Sequence, residues 1–245
     1  MRNDIMTVLQ KELLEIWNMR ESRKSFLVAL IVPVFILGIQ FPMIIGAKWV
    51  TSYYSTGLWI FVPFIFISAV IADSFAGERE RHTLETLLST RLPEKTILLG
   101  KIGAASIYAI IVTLIIAVVS LVTVNIAHPG NGLLIFSPYV MIFGVTGAVL
   151  TATTGANIGA LVSLRASTVR QAQQSLGIGI MVIVFTPAIV SFLVPKDTTK
   201  HFFGNLDKID PMPVALLAYS AIVVLDILLF LIASWKFKRN KMNLD

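Results

Sequence analysis

The sequence lacks cysteine and has few charged residues. The absence of cysteine from 245 residues excludes a disulfide framework, a thiol nucleophile and a thiolate metal site. Only 14% of the residues are charged, whereas 56% are hydrophobic and the mean hydropathy is +0.82. An ordinary soluble domain has about a quarter of its residues charged. The composition therefore predicts a protein that lies in a lipid bilayer.

Six apolar stretches are long enough to cross a bilayer. A spanning helix needs about 20 mostly apolar residues, because a rise of about 1.5 Å per residue must cover a hydrocarbon core of about 30 Å. The sequence therefore predicts an all-α polytopic membrane protein with six transmembrane helices, preceded by an N-terminal amphipathic interfacial helix. The predicted spans are Ser25–Ile45, Gly57–Ser74, Lys101–Val122, Pro138–Leu164, Gln174–Val194 and Val214–Trp235.

The predicted domain organisation divides the chain into residues 1–24, an amphipathic helix, and residues 25–245, the transmembrane domain. A helical projection of the first segment has an apolar face and a charged face. Trp17 favours a position at the headgroup level of the membrane. A cytoplasmic helix that packs on a partner is the alternative. The apolar face holds Met6, Leu9, Leu13, Ile16 and Trp17, and the charged face holds Lys11, Glu12 and Glu15.

The distribution of Lys and Arg predicts the orientation in the membrane. Basic residues accumulate in short loops on the cytoplasmic side. The two tails and the loops on the same side as the tails hold 16 of the 20 Lys and Arg residues. Both termini are therefore expected in the cytoplasm, with the protein integral to the cell membrane. The net charge of +6 reflects this bias, so no nucleic-acid partner is expected.

The fourth predicted span carries small residues at intervals of four. Such spacing lets helix backbones approach closely in lipid, where packing holds helices together. The sequence does not decide whether this face meets the chain's own bundle or a second protomer. The repeated positions are Gly147, Thr151, Gly155 and Gly159.

Asp226 is the one ionisable side chain near the middle of a predicted span. A central Asp costs about 2.5 to 3.5 kcal/mol on insertion scales, so it needs a reason to be there. One interpretation is a polar point on a substrate or ion pathway. The other is a structural hydrogen bond inside the bundle, for which Asn157 in the fourth span is a candidate partner.

Motifs for known chemistries are missing. A P-loop requires Gly at its first position and Ser or Thr after its Lys, but the stretch around Gly100 and Lys101 has Lys95 and Ile102 there. The three histidines, His82, His128 and His201, fall on opposite sides of the predicted membrane. The chain also lacks H-E-x-x-H and G-x-S-x-G. We therefore expect no catalytic residue, no metal site and no cofactor bound by this chain.

The most polar stretch of the chain is residues 75–95, here called the charged segment. Leu84, Leu87 and Leu88 follow the i, i+3, i+4 pattern of one helix face, while acids and bases alternate around them. Pro93 ends the predicted short helix. A solvated loop would leave the leucine stripe unexplained. A groove on a partner protein would explain both the leucines and the charges.

The stretch "DSFAGERERHTLETLLSTRLPEKTILLGK" resembles the ABC-2 type permeases, the membrane subunits of ABC exporters. It is similar to that family's pattern of D-x-F-A-G-E-R-E, then T-L-E-x-L-L, then G-K entering the third span. "STVRQAQQ" before the fifth span is a second similarity. Two positions depart from the pattern: His82 stands where glycine is common, and Arg91 where proline is common.

The resemblance implies that the charged segment couples the chain to a separate nucleotide-binding ATPase subunit. ATP and magnesium would then bind to that partner. It also implies a second permease copy or a related permease, within membrane lipid. An ion-coupled secondary transporter that uses Asp226 is the alternative, and an intramembrane enzyme is a further one. The coupling residues implied by the resemblance are Glu78, Arg79, Glu80, Arg81, Thr83, Leu84, Glu85, Leu87 and Leu88.

Overall fold

The structure, a computed structural model, describes residues 2–17, 31–51, 53–129, 132–193 and 211–237. Within these ranges all regular structure is helical. The first five helices are α1 Arg2–Trp17, α2 Ile31–Ile45, α3 Lys48–Thr51, α4 Tyr53–Glu80 and α5 Leu84–Ser89. The others are α6 Glu94–Ala127, α7 Pro138–Ser163, α8 Val169–Leu193 and α9 Pro211–Lys236. A π-helical turn, Ile36–Gln40, interrupts α2.

In the described part of the chain, four helices are long and apolar enough to cross a membrane: α4 over Ser55–Glu80, α6, α7, and α9 over Ala215–Lys236. They correspond to the second, third, fourth and sixth predicted spans. α8 covers most of the fifth, and α2 holds the part of the first that lies within the described residues. The predicted helical membrane architecture is confirmed in this coarser form, and the number of six spans stays a prediction.

Two membrane helices extend into the charged segment. α4 continues to Glu80, six residues beyond the predicted end at Ser74, and α6 already begins at Glu94. Pro93 has the extended backbone, with φ −62° and ψ 139°, of a residue that precedes a helix. α5 therefore lies between the ends of two long helices.

The small residues of α7 pack against α4 of the same chain. A Cβ added at Gly159 would lie 2.1 Å from Cγ2 of Ile71, and one at Gly155 would lie 3.1 Å from Phe64. A Cβ at Gly147 would lie 2.6 Å from Cγ1 of Ile60, also in α4. Thr151 bonds within its own helix, from its hydroxyl to the carbonyl of Gly147 at 2.9 Å. The glycine face thus meets the chain's own bundle.

α1 packs along the start of α6. A Cβ at Gly100 would lie 2.4 Å from Cγ1 of Val8, so glycine at this position permits close approach of the two helices. The predicted charged face of α1 needs correction at one position, since Glu12 is only 7% exposed. Glu12 is buried because α6 offers it a cation, as described below. The interfacial position of α1 in a membrane stays a prediction.

Candidate functional site

A buried ammonium group joins α1, α4 and α6. Lys101 lies near the N-terminal end of α6. Its Nζ is 2.8 Å from Oε1 of Glu12 and 3.3 Å from Oε1 of Glu78. Lys101 is 1% exposed, and the two acids are 7% and 6% exposed. The ring of Phe75 lies under the ammonium, 5.5 Å from centroid to Nζ. Ionised groups this deeply buried require such partners.

Lys11 adds a second cation at the rim of this cluster. Its Nζ is 3.1 Å from Glu15 and 3.5 Å from Glu78. Burial opposes the charged form of Lys11, but the hydrogen bond with Glu15 and the charges of Glu12, Glu15 and Glu78 outweigh it. The pKa of Lys11 is therefore raised above its ordinary value, and its ammonium stays protonated at neutral pH.

Glu12, Glu15 and Glu78 form the acidic group whose spacing could suit a metal ion in the described part of the chain, with ligand atoms within 4.8 Å of one another. Both ammonium groups already contact these carboxylates. An added cation would have to displace Lys101 from its buried position. The arrangement is therefore an ion-pair cluster, which we call the Lys101 cluster: Lys11, Glu12, Glu15, Glu78 and Lys101.

Thr83 connects the Lys101 cluster to α5. Its hydroxyl donates to Oε2 of Glu78 at 2.5 Å, and its backbone N–H donates to the carbonyl of Glu78 at 2.8 Å. Its own carbonyl accepts from the N–H of Leu87 in the first turn of α5. The turn between the helices places His82 at φ +56°, a left-handed conformation that glycine adopts at less cost.

The end of α4 also holds the link between α7 and α8. Arg79 donates to the carbonyl oxygens of Ala166, at 2.5 Å, and Leu164, at 2.9 Å. Glu80 accepts from the backbone N–H of Val169, the first residue of α8, at 3.1 Å. Orphan groups at two helix ends are satisfied in this way. Arg79 and Glu80 therefore have partners within the chain.

Ser163 anchors the same junction from the last turn of α7. It is fully buried, its hydroxyl donates to the carbonyl of Ala72 at 2.8 Å, and it accepts from the N–H groups of Phe75 and Ala76. No motif or spacing in the sequence singles out Ser163. The end of α4 is thus fixed against α7 by hydrogen bonds as well as by packing.

The leucine stripe is divided between the core and the surface. Leu84 is 3% exposed and Leu88 is 7% exposed, both in the chain's own hydrophobic core, and Leu87 is partly buried against that core. Leu84 and Leu88 therefore pack inside the chain in this structure, and their contact with a partner stays a prediction. The buried Glu78 is likewise engaged inside the chain.

The surface that remains exposed on the charged segment is polar. Arg81 pairs with Asp73 through two contacts of 3.3 Å. Burial lowers the pKa of Arg81, but the hydrogen bond and charge of Asp73 outweigh it and raise that pKa. Between this pair and Lys11 is an open cavity of about 390 Å³ that Glu15, Glu78 and Thr83 also line. The other exposed side chains include His82, Glu85, Thr86, Ser89 and Arg91.

Asp226 lies on α9 and contacts polar residues of α7. The hydroxyl of Thr153 is 2.5 Å from its Oδ2, and Nδ2 of Asn157 is 3.4 Å from its Oδ1. Asn157 is 5% exposed, and among the described residues its own Oδ1 has no hydrogen-bond partner. The contact with Asn157 is the one that the sequence suggested, and Thr153 adds a second. A role of Asp226 in transport stays a prediction.

We expect Asp226→Leu to weaken the packing of α9 on α7. Interhelical hydrogen bonds in membranes contribute about 0.6 to 1.7 kcal/mol each, and two would be lost. Asp226→Asn keeps an acceptor for Thr153 and should unfold close to the parent. Unfolding of the purified variants in mixed detergent micelles measures the difference. Equal stability of the leucine variant and the parent would contradict the structural role.

Glu78 is the member of the Lys101 cluster that belongs to the predicted coupling residues, whereas Lys11, Glu12, Glu15 and Lys101 do not. From the sequence, Lys101 is the lysine of a failed P-loop match and of the G-K that enters the third span, and Glu12 belongs to the charged face of α1. One signal was available: a lysine at the edge of a predicted span is costly unless it snorkels or finds an acid. The sequence could not show which acid, since 89 residues separate Glu12 from Lys101.

Comparison with known families adds a match over most of the chain. A family model described as "ABC-2 type transporter" matches residues 3–224. The match includes α1, the charged segment, and α9 as far as Val224. A search of curated proteins found no match.

Proposed function

Because the chain belongs to the ABC-2 type transporter family, we propose that it is the permease of an exporter driven by a separate ATPase subunit. The chain is an integral membrane protein, and the domain that defines the family is a transport permease that is not itself catalytic. Its sequence has no P-loop. ATP and magnesium would bind to the partner, and this chain would form the path across the membrane.

The observation that carries the proposal is the division of the charged segment into a fixed side and an exposed side. Glu78, Leu84 and Leu88 are buried in the chain, while the opposite side carries charges on a frame held by α4 and α6. A surface that must transmit force to long helices needs such rigid support. We assign the ATPase contact to the exposed side chains Arg81, His82, Glu85, Thr86 and Arg91, with Leu87 at the edge.

The proposed orientation has both termini and the charged segment in the cytoplasm of the cell. The excess of Lys and Arg in the tails and in the loops on their side supports it. An ATPase subunit would then meet the charged segment where ATP is available. Movement of α5 would act on α4 and α6, whose ends flank it, and switch access to the pathway.

We further propose that two permeases, either two copies of this chain or this chain and a related one, assemble with two ATPase subunits. The support is the family layout, in which two membrane subunits form one transporter. The transported substrate would pass between or within these subunits.

Charge reversal on the exposed side tests the docking surface. We expect the double variant Glu85→Arg, Arg91→Glu to lose at least about tenfold in affinity for the ATPase subunit, or about 1.4 kcal/mol, because like charges would then face each other. Quantitative co-purification of the tagged permease with its ATPase measures this.

Lys48→Glu is the matched control, since Lys48 is exposed beyond the far end of α4. It should leave co-purification unchanged. Membrane abundance of all three proteins must be equal for the comparison to hold. If the double variant co-purified with as much ATPase as the parent, the assignment of Glu85 and Arg91 to the docking surface would be wrong.

A further inference from the structure

Three members of the Lys101 cluster are withdrawn from the surface and so do not offer their side chains to a docking partner. Glu12, Glu78 and Lys101 are all below 8% exposed. Replacing a buried ion pair with apolar residues is often neutral or stabilising, so packing alone does not explain its presence. What distinguishes the cluster is its position, since it joins α1 to the two helices, α4 and α6, that flank α5.

A continuous series of polar contacts leads from α5 to α1. The carbonyl of Thr83 accepts from Leu87 in α5, and its hydroxyl donates to Glu78. Glu78 shares the ammonium of Lys101 with Glu12 of α1. Each of these contacts is 3.3 Å or shorter. A displacement of α5 therefore acts on Glu78 and, through Lys101, on α1.

Apolar contacts support the same connection. Gly100, next to Lys101, has the side chain of Val8 against its α-carbon, with 2.4 Å between Cγ1 and a Cβ at that position. Leu9 lies 3.4 Å from a Cβ at Gly103. Ile16 of α1 belongs to the same hydrophobic core as Leu84 and Leu88 of α5. α1 is thus held by packing on one side of Lys101 and by charge at Lys101 itself.

We propose that Lys101 is a positioning residue that makes α1 move together with α5 and the adjoining ends of α4 and α6 when the ATPase subunit acts. This inference rests on the proposed function for the source of the movement. The connection itself is a property of the chain. α1 is then a moving part of the coupling apparatus, and its role exceeds that of a passive anchor.

The absence of cysteine from the chain allows a direct test with spin labels. Cysteines replace Gln10, exposed on α1, and Ser89, exposed at the end of α5. Distances between the two labels are measured by pulsed electron resonance in lipid nanodiscs, for the permease alone and for its complex with the ATPase. The complex is measured without nucleotide and trapped with ATP and vanadate. A second pair, Ser89 and Lys48, reports movement of α5.

We expect trapping to shift the Ser89–Lys48 distance while the Gln10–Ser89 distance stays narrow and unchanged. Glu12→Gln removes the charge on α1 but keeps its size, and should broaden the Gln10–Ser89 distribution and make it change on trapping. Lys101→Arg, which retains the cation, should resemble the parent. If the ion pair served stability alone, the Gln10–Ser89 distance in Glu12→Gln would respond to nucleotide trapping as it does in the parent.

Three results would overturn the inference: an unchanged Gln10–Ser89 distribution in Glu12→Gln, a shift of that distance in the parent on trapping, or no movement of α5. The first of these results is decisive even when it is measured on the permease without its ATPase subunit. Failure of the parent to recover any ATPase subunit would instead count against the proposed function, and the two failures are therefore distinguishable.

Discussion

Lys101→Met is expected to lower the free energy of unfolding by about 3 to 5 kcal/mol, the usual cost of removing one partner from a buried ion pair. Methionine fills much of the space of the lysine stem, but it leaves Glu12 and Glu78 buried, 7% and 6% exposed, without the cation that is 2.8 and 3.3 Å from their oxygens. Unfolding of the purified protein in mixed micelles measures the loss.

Lys11→Met is the matched control for this variant. Lys11 contacts the same acids but is 47% exposed, and exposed ion pairs contribute about 0 to 1 kcal/mol. Its loss should therefore be at least threefold smaller. Equal losses for the two variants would mean that burial does not decide the energy of the cluster.

Neutralising the acids separates charge from packing in the Lys101→Met variant. Addition of Glu12→Gln and Glu78→Gln should restore part of the stability, because no buried charge then lacks a counterion. If the triple variant is less stable than Lys101→Met by the sum of the separate losses, the effect of Lys101 is one of packing.

Gly159→Ala is expected to destabilise the bundle by about 1 to 3 kcal/mol, the usual cost of overpacking a well-packed core. The new Cβ would lie 2.1 Å from Cγ2 and 3.1 Å from Cβ of Ile71. Ile71 is fully buried, and its branched side chain is stiff, so the helices must separate. Detergent-induced unfolding and membrane abundance both report this change.

Gly177→Ala provides the control with the same chemistry in another helix. A Cβ at Gly177 meets nothing within 4 Å, and alanine is the better helix former by about 1 kcal/mol in water. Its effect should be neutral or stabilising, opposite in sign to that of Gly159→Ala. Combining Gly159→Ala with Ile71→Ala should recover stability, and no recovery would indicate that the clash lies elsewhere.

The sequence was most informative where the physical requirement is local. Burial of a helix in hydrocarbon depends on a run of apolar residues, so the runs at Lys101–Val122 and Pro138–Leu164 predicted helices that the structure confirms as Glu94–Ala127 and Pro138–Ser163. The pattern of the charged segment carried the family resemblance, and the family is confirmed over residues 3–224. The helix ends were less accurate, since tertiary partners let α4 continue to Glu80.

Contacts between distant parts of the chain could not be read in the same way. The stripe of Gly147, Gly155 and Gly159 indicated close packing, but only the fold shows that α4 fills it. The leucine periodicity of α5 indicates a covered face, and only the fold shows that Leu84 and Leu88 pack in the chain's own core. Periodicity specifies that a face is covered and does not specify by what.

The sequence by itself therefore determined that the protein lies in a lipid bilayer, that its secondary structure is helical, and which family it belongs to. Composition and local pattern fix these properties. Only the tertiary structure decided that Glu12 turns inward to Lys101 and that α1, α4 and α6 meet at one buried charge. A buried ion pair depends on which residues the fold brings within about 3 Å of each other, because the attraction between charges depends on their distance in space. The number of residues between two positions in the sequence does not predict that distance.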